Sequence, residues 1–397
     1  MMRWLAFVLF LLGAVVFWLL ARQTSTTVGL QALLGLSFGV VLQRARFCFF
    51  CNIREALEEK KTDGAIGLLV ALIVGILLTH VILGAWTRDP FAGSLPPKAH
   101  IAPLGWHLAL AGLVFGLGMS LSGSCISGHL YRLAEGSLAS ILALLSSFGG
   151  FYLGFLSWET IFLQSVSTAP VLWLPKFLGY PGSALIQVCI LLLMLAWLVA
   201  RGNARPGGAR QLSKLKSARP GTIPDVFRVG WQKVFQQQWA GWLGGLLVAL
   251  LGVIALLRTQ PLGVTAEFSR WTRQLPGLPD RLTGLDQMRG CIADDSAQLF
   301  LGVLGENGIF VVGLVLGAFV VSLAGGHFEL SKLRPAKAVA AVLGGLCLGW
   351  GAMIGLGCTI GTLLSGITAS ALSGWLFGFS MLIGMLILLP LRRRYWA

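Results

Sequence analysis

The chain has 397 residues, of which 56% are hydrophobic and 11% charged, and its 30 Lys and Arg against 15 Asp and Glu leave a formal charge of +15. Its mean hydropathy is +0.81. Soluble domains carry about 25% charged residues, so a water-soluble globular fold is excluded and a polytopic membrane protein is expected. In hydrocarbon, every backbone N–H and C=O must be satisfied internally, which demands helices or a closed barrel. No run of about ten alternating residues suggests a barrel.

Apolar segments fall near residues 4–21, 28–43, 64–86, 105–122, 137–157, 183–200, 240–257, 306–324, 338–356 and 370–390. Most approach the roughly 20 residues that cross a bilayer. The first is too long for the core of a signal peptide and no clear A-x-A site follows it, so a retained helix over 1–25 is expected. The short segment 28–43 reads as a candidate half-helix. With both termini in the cytoplasm, the basic segments 201–238, 325–337 (Lys332, Arg334, Lys337) and 392–394 all fall inside, as the positive-inside rule requires. The loop 258–305 carries five Arg and falls outside, against that rule; partial re-entry into the membrane would reconcile it. Residues 201–238 hold Arg201, Arg205, Arg210, Lys214, Lys216, Arg219, Arg228 and Lys233 against Asp225 alone. Between membrane helices, such a run reads as contact with anionic lipid headgroups and not with nucleic acid.

Two small-residue stretches interrupt apolar segments: Ser122-Gly-Ser-Cys-Ile-Ser-Gly128, and Gly355-Leu-Gly-Cys-Thr-Ile-Gly361. A shift of 233 residues lays the second on the first. Gly112, Leu113, Gly116, Gly118, Cys125, Gly128, Leu130 and Ser137 fall on Gly345, Leu346, Gly349, Gly351, Cys358, Gly361, Leu363 and Ser370. Glycines and a cysteine are not matched by generic apolarity. Five crossings separate the two helices that lead into these stretches, so they run in opposite directions. This is the pattern of an inverted-topology repeat, which places a site between two halves near the membrane midplane. A weaker match aligns Phe38–Phe49 with Leu262–Arg273, pairing Arg46 with Arg270 and Cys48 with Thr272. The chain then divides into a first repeat over 26–200 with its cysteine loop at 122–128, a basic linker over 201–238, and a second repeat over 239–397 with its loop at 355–361.

Small residues admit close backbone approach and broken helices. A new helix beginning at such a break aims partly positive N–H groups at it, which suits an anion. Gly123, Ser124, Gly357, Thr359 and Gly361 are therefore candidate pathway residues around Cys125 and Cys358. A thiol in apolar surroundings stays neutral, a soft weak donor that meets an anion without charge repulsion. Arg46 and Arg270 are candidates for drawing the anion to either mouth. Cys48 and Cys51 form C-x-x-C, which also matches a thiol–disulfide pair. A zinc site needs about four ligands, and no other His or Cys pair completes one. His129 reads as a packing or hydrogen-bonding residue, and Cys189 and Cys347 as buried small hydrophobes. Cys291 lies in an outer loop. No G-x-x-x-x-G-K-[ST] run occurs, and no motif for a bound cofactor is found.

The R-x-R-F-C-F run at Arg44–Phe49, the Gly-rich loop at Cys125 and the G-L-G-C-T-I-G run at Gly355–Gly361 resemble the YeeE/YedE family of sulfur-compound transporters. The run Val264–Trp271 looks most like the YedE branch. The resemblance implies an all-α, hourglass-like inverted-repeat fold of nine or ten transmembrane segments with half-helices, in a bacterial inner membrane. It implies uptake of thiosulfate past three neutral thiols, which by motif match are Cys48, Cys125 and Cys358, and work with a TusA-like cytoplasmic sulfur carrier. The YedE branch implies a selenium compound as an alternative substrate. A membrane thiol–disulfide oxidoreductase using Cys48 and Cys51 is the alternative from a different class.

Overall fold

The computed structural model describes residues 26–201, 237–278, 282–285 and 304–395, together with Gly13. The expected first helix (Gly13 aside), residues 202–236 of the basic linker, and Cys291 lie outside the described residues. Among the described residues the fold is all-α, and its one β-type pairing is an isolated bridge between Trp173 and Ala371. Among the described residues, nine spans are long and apolar enough to cross a membrane.

The elements run as follows: α1 Thr26–Ala45, α2 Phe49–Glu58, α3 Asp63–Trp86, α4 Trp106–Ser122, α5 Ile126–Leu133, α6 Leu138–Ile161 and α7 Pro175–Arg201. The second half holds α8 Gly241–Arg258, α9 Thr265–Arg273, α10 Glu306–Gly325, α11 Pro335–Ile354, a π-helical stretch Thr359–Ser365 leading into α12 Gly366–Thr368, and α13 Leu372–Tyr395. Local chemistry sets several boundaries. Asp63 sits in the first turn of α3, where its charge favours the helix N-terminus. Its Oδ2 also accepts from Gly241 N at 2.9 Å, fixing the start of α8. Pro335 opens α11 at a position where its missing N–H costs nothing.

The segment expected as a half-helix, 28–43, is instead the 20-residue α1, about 30 Å long at 1.5 Å per residue and able to cross. The half-length pieces follow the breaks. Helices α2, α5 and α9 have 10, 8 and 9 residues, reaching only about 12–15 Å, roughly half the hydrocarbon thickness.

Helix pairing comes in matched couples. The couple α1·α10 mirrors α8·α3, and α6·α11 mirrors α13·α4, while α4·α11 and α1·α8 pair with their own counterparts. This is the pattern a two-fold relation between the halves produces. Close contact depends on glycine: a Cβ at Gly39 would run into the backbone of Leu314 on α10, and one at Gly245 into Gly67 of α3. Where lipid tails are as apolar as leucine, such small-residue seams let helices approach and gain dispersion contacts.

Candidate functional site

Three breaks share one construction. At the first, α1 ends at Ala45, Arg46 takes φ +48, and Cys48 caps α2 in an extended conformation. At the second, α4 ends at Ser122, Gly123 turns left-handed at φ +89, and extended Cys125 caps α5. At the third, α11 ends at Ile354, Leu356 and Gly357 take φ +56 and +154, and Cys358 caps the π-helical stretch. A branched leucine held at positive φ costs on the order of 1–3 kcal/mol, so the surroundings must enforce that turn. Each cysteine thus caps a helix whose first backbone N–H groups have no intrahelical partner.

The first and second breaks meet. Cys48 Sγ lies 3.7 Å from Cys125 Sγ and 3.3 Å from Ser124 Oγ. Cys125 Sγ lies 3.3 Å from Ser127 Oγ. The cradle these groups form has no room for another side chain: a Cβ at Gly128 would stand 2.9 Å from Cys48 Sγ and 3.4 Å from Cys125 Sγ. All three cysteines are fully buried. Cys51 joins the group from the next turn of α2 and donates to Gly123 O at 3.9 Å. Among the described residues every cysteine carries a free thiol, and no cluster of His, Cys, Asp and Glu is suited to a metal ion.

A residue that sequence reading passed over completes this half. Arg132, two turns beyond Cys125 on α5, donates from Nη1 to Gly123 O at 3.1 Å and from Nη2 to Cys51 Sγ at 3.2 Å. Among the described residues no carboxylate reaches it within ion-pair distance. A guanidinium held by a carbonyl and a thiol keeps its full charge beside the thiols. Its signal was available: seven residues after Cys125, it returns to the same helical face.

Cys358 is built differently. Thr265, the first residue of α9, lies against its thiol. The buried hydroxyls of Thr265, Ser269 and Thr359 have no hydrogen-bond partner in the protein. Gly357 lies beside Thr362, whose hydroxyl donates to Gly355 O at 2.9 Å. Gly361 lies buried within the π-helical stretch. No hydrogen bond links Cys358 to Cys48 or Cys125.

The structure also corrects the weaker repeat match. Thr272, aligned there with Cys48, ends α9 and donates to Phe268 O at 2.7 Å, away from the break. The break before α9 is capped by Val264, so the counterpart of Cys48 lies at Val264–Thr265. The two arginines matched by that alignment sit apart from the thiols. Arg46 is half-exposed, with Nη2 3.9 Å from Glu135 Oε1. Arg270 is ion-paired to Glu267 on the same helix, with its Nε 3.2 Å from Oε2. His129 donates or accepts through Nδ1 at Ser140 Oγ, 3.1 Å away, consistent with a hydrogen-bonding residue. Cys189 faces outward on α7, and Cys347 is half-buried on α11.

Broken helices within apolar spans, two of them meeting at buried cysteines, are tolerated where backbone is buried in protein or lines a path. A family model described as sulphur transport matches residues 44–387. The chain belongs to the sulphur transport family. It is similar to the thiosulfate transporter TsuA of Spirochaeta thermophila, 27% identical over 366 residues covering 89% of this chain and 95% of that one. Similarity to the Escherichia coli thiosulfate transporter TsuA is comparable, 26% identical with 88% and 90% coverage. A shorter match, 30% identical over 137 residues, covers 32% of this chain and 31% of the probable transporter YedE of Escherichia coli. Membership of the sulphur transport family makes the chain a multi-pass membrane transporter of sulfur compounds. It is not an enzyme, and this sets aside the oxidoreductase reading of Cys48 and Cys51.

Proposed function

We propose that the protein is a permease for thiosulfate in a bacterial inner membrane, with both termini cytoplasmic. The ion passes Cys358 on the outer side, then Cys125 and Cys48 towards the inner side. Neutral thiols donate S–H hydrogen bonds to it in turn, and hydroxyls of Thr265, Ser269, Thr359 and Ser124 offer donors to its oxygens. The observation that carries this reading is the 3.7 Å approach of Cys48 Sγ to Cys125 Sγ, within a buried cradle where Gly128 brings no side chain between them and the hydroxyls. Two thiols at that separation can share one soft sulfur atom between them, and a hard cation has no ligands there. Full-length similarity to two thiosulfate transporters supports the choice of substrate. Delivery to a TusA-like carrier at the inner mouth accords with the same reading.

The test is uptake of labelled thiosulfate into cells lacking other routes, with sulfite, sulfate and selenosulfate as competitors. Wild type should take up thiosulfate, with sulfate a poor competitor for want of a soft atom. Normal thiosulfate-dependent growth of Cys125→Ala, with protein present in the membrane, would sink the relay. Stronger competition by selenosulfate than by unlabelled thiosulfate would move the substrate to a selenium compound.

A further inference from the structure

Directly beyond the Cys125 break, on the side bearing the α10–α11 loop, lies a polar cavity of about 180 Å³. That is well above the roughly 10–15 Å³ one water needs by the same measure, so it admits one tetrahedral oxyanion with part of its hydration shell. Its lining includes His129 and Arg132 from α5, Ser137 ahead of α6, Ser331 and Lys332 from the loop, and Lys337 on α11. No carboxylate lines it. Glu135, three residues after Arg132, is turned towards Gln43, whose Nε2 donates to it at 3.2 Å, and towards Arg46. The cavity is therefore cationic and uncompensated.

A second observation points to a ligand. His129 is 1% exposed; its Nδ1 is engaged with Ser140, while its Nε2 is buried without any partner. An orphaned ring nitrogen in a wall whose other polar groups are cations and hydroxyls marks a place where a polar guest is missing. The two-fold counterpart shares a buried histidine with an unpartnered nitrogen, His100, but no Lys or Arg lines it. Under the 233-residue shift, His129 and Arg132 fall on Thr362 and Ser365. Both of those hydroxyls are satisfied by backbone carbonyls, at 2.9 and 3.0 Å. The cavity beside Ser365 is about 40 Å³ and walled mainly by residues such as Ala71, Val248 and Leu364. Among the described residues, Lys and Arg line the cavity at Cys125 and not the one beside Ser365.

We propose that this cavity is a distinct binding site for a small divalent oxyanion at the inner mouth. Arg132 spans the thiol cluster and the cavity, and Lys332 and Lys337 hold the ion once it has left the thiols. The site recognises charge and size, unlike the thiols, and so takes sulfate as readily as thiosulfate. The assignment of side rests on the transport reading above; the existence of the site does not.

Binding of labelled sulfate and labelled thiosulfate to the purified full-length protein, in nanodiscs of zwitterionic lipid, tests it. Wild type should bind both, more weakly as salt rises because the field is screened. The double variant Lys332→Gln/Lys337→Gln changes only exposed side chains and should bind sulfate about tenfold more weakly. Arginine at both positions should restore binding, and Cys358→Ala should bind sulfate like wild type. Unchanged sulfate affinity in the double glutamine variant overturns the site even if thiosulfate uptake is normal. Displacement of sulfate by phosphatidylglycerol at stoichiometric amounts would also overturn it, reassigning the lysines to lipid headgroups. If thiosulfate is not transported but lysine-dependent sulfate binding persists, the transport reading fails and this site stands.

Discussion

The breaks at Cys125 and Cys358 are equivalent in backbone and opposite in chemistry. Each follows a full-length helix, turns through a positive-φ residue at matched positions (Gly123 and Leu356), and ends on an extended, fully buried cysteine. Around Cys125 the neighbours are a second thiol 3.7 Å away and a guanidinium with no carboxylate partner. Around Cys358 they are hydroxyls, three of them unpartnered, and no cation among the described residues acts on the thiol. An anion entering the second environment meets only neutral donors; one in the first also meets a buried positive charge. Symmetry of backbone therefore supplies two apertures, and asymmetry of side chains supplies a gradient between them. The difference teaches that pseudosymmetry of the fold does not carry over to the ion's energy along the path.

The largest effect should come from the element the two breaks share. Cys125→Ala and Cys358→Ala are each expected to reduce labelled thiosulfate uptake to background, with the protein still folded and in the membrane. Activity surviving in one alone would break the equivalence. Next is the charge that only one side has. Arg132→Gln leaves Gly123 O and Cys51 without their donor, an expected loss of about 1–3 kcal/mol, or roughly 5- to 150-fold in uptake rate constant. Its counterpart Ser365→Ala removes a single hydroxyl that serves only Ile360 O, and should leave uptake within about twofold. Equal effects would mean that Arg132 is structural. A smaller loss is expected from Gly128→Ala, because its methyl would press on Cys48 Sγ and occupy the ion's space. Cys48 and Ser124 can shift slightly, so uptake should fall about tenfold, appearing mainly in KM, with helix content by circular dichroism unchanged.

Much of this was legible in the chain. Apolar spans stand out by length, and the two cysteine loops stand out because Ser and Gly do not otherwise cluster with Cys in apolar runs. The glycines of the 233-residue repeat coincide with helix seams: Gly116 faces Met381 and Gly349 faces Ser147, so packing and repeat are two readings of the same residues. Half-helices were less legible. Hydropathy over about 19 residues merges α2 into α1 and α5 into α4, and the breaks vanish in the average. The alignment of Cys48 with Thr272 failed for a related reason. Helix α9 is short and amphipathic, and an Arg and an aromatic recurring by chance outweighed the break position, which leaves no mark in composition. Arg132 was missed because a lone arginine near a helix end ordinarily reads as an interface anchor; only the fold turns it back under Cys51.

The smallest effect tests whether the unpartnered hydroxyls beside Cys358 belong to the path. A buried hydroxyl with no partner is a burden on the empty protein, so Thr265→Val, which keeps the branched shape, should leave thermal stability unchanged or raise it slightly. If the hydroxyl serves the ion, the same change removes a donor worth about 0.5–1.5 kcal/mol and raises KM for thiosulfate by about two- to tenfold. Thr265→Ser keeps the donor and should restore KM. Opposite signs in stability and transport are the signature of a group held in readiness for a ligand. A parallel fall in both would mean that Thr265 only packs, and the outer half of the path would then rest on Cys358, Ser269 and Thr359.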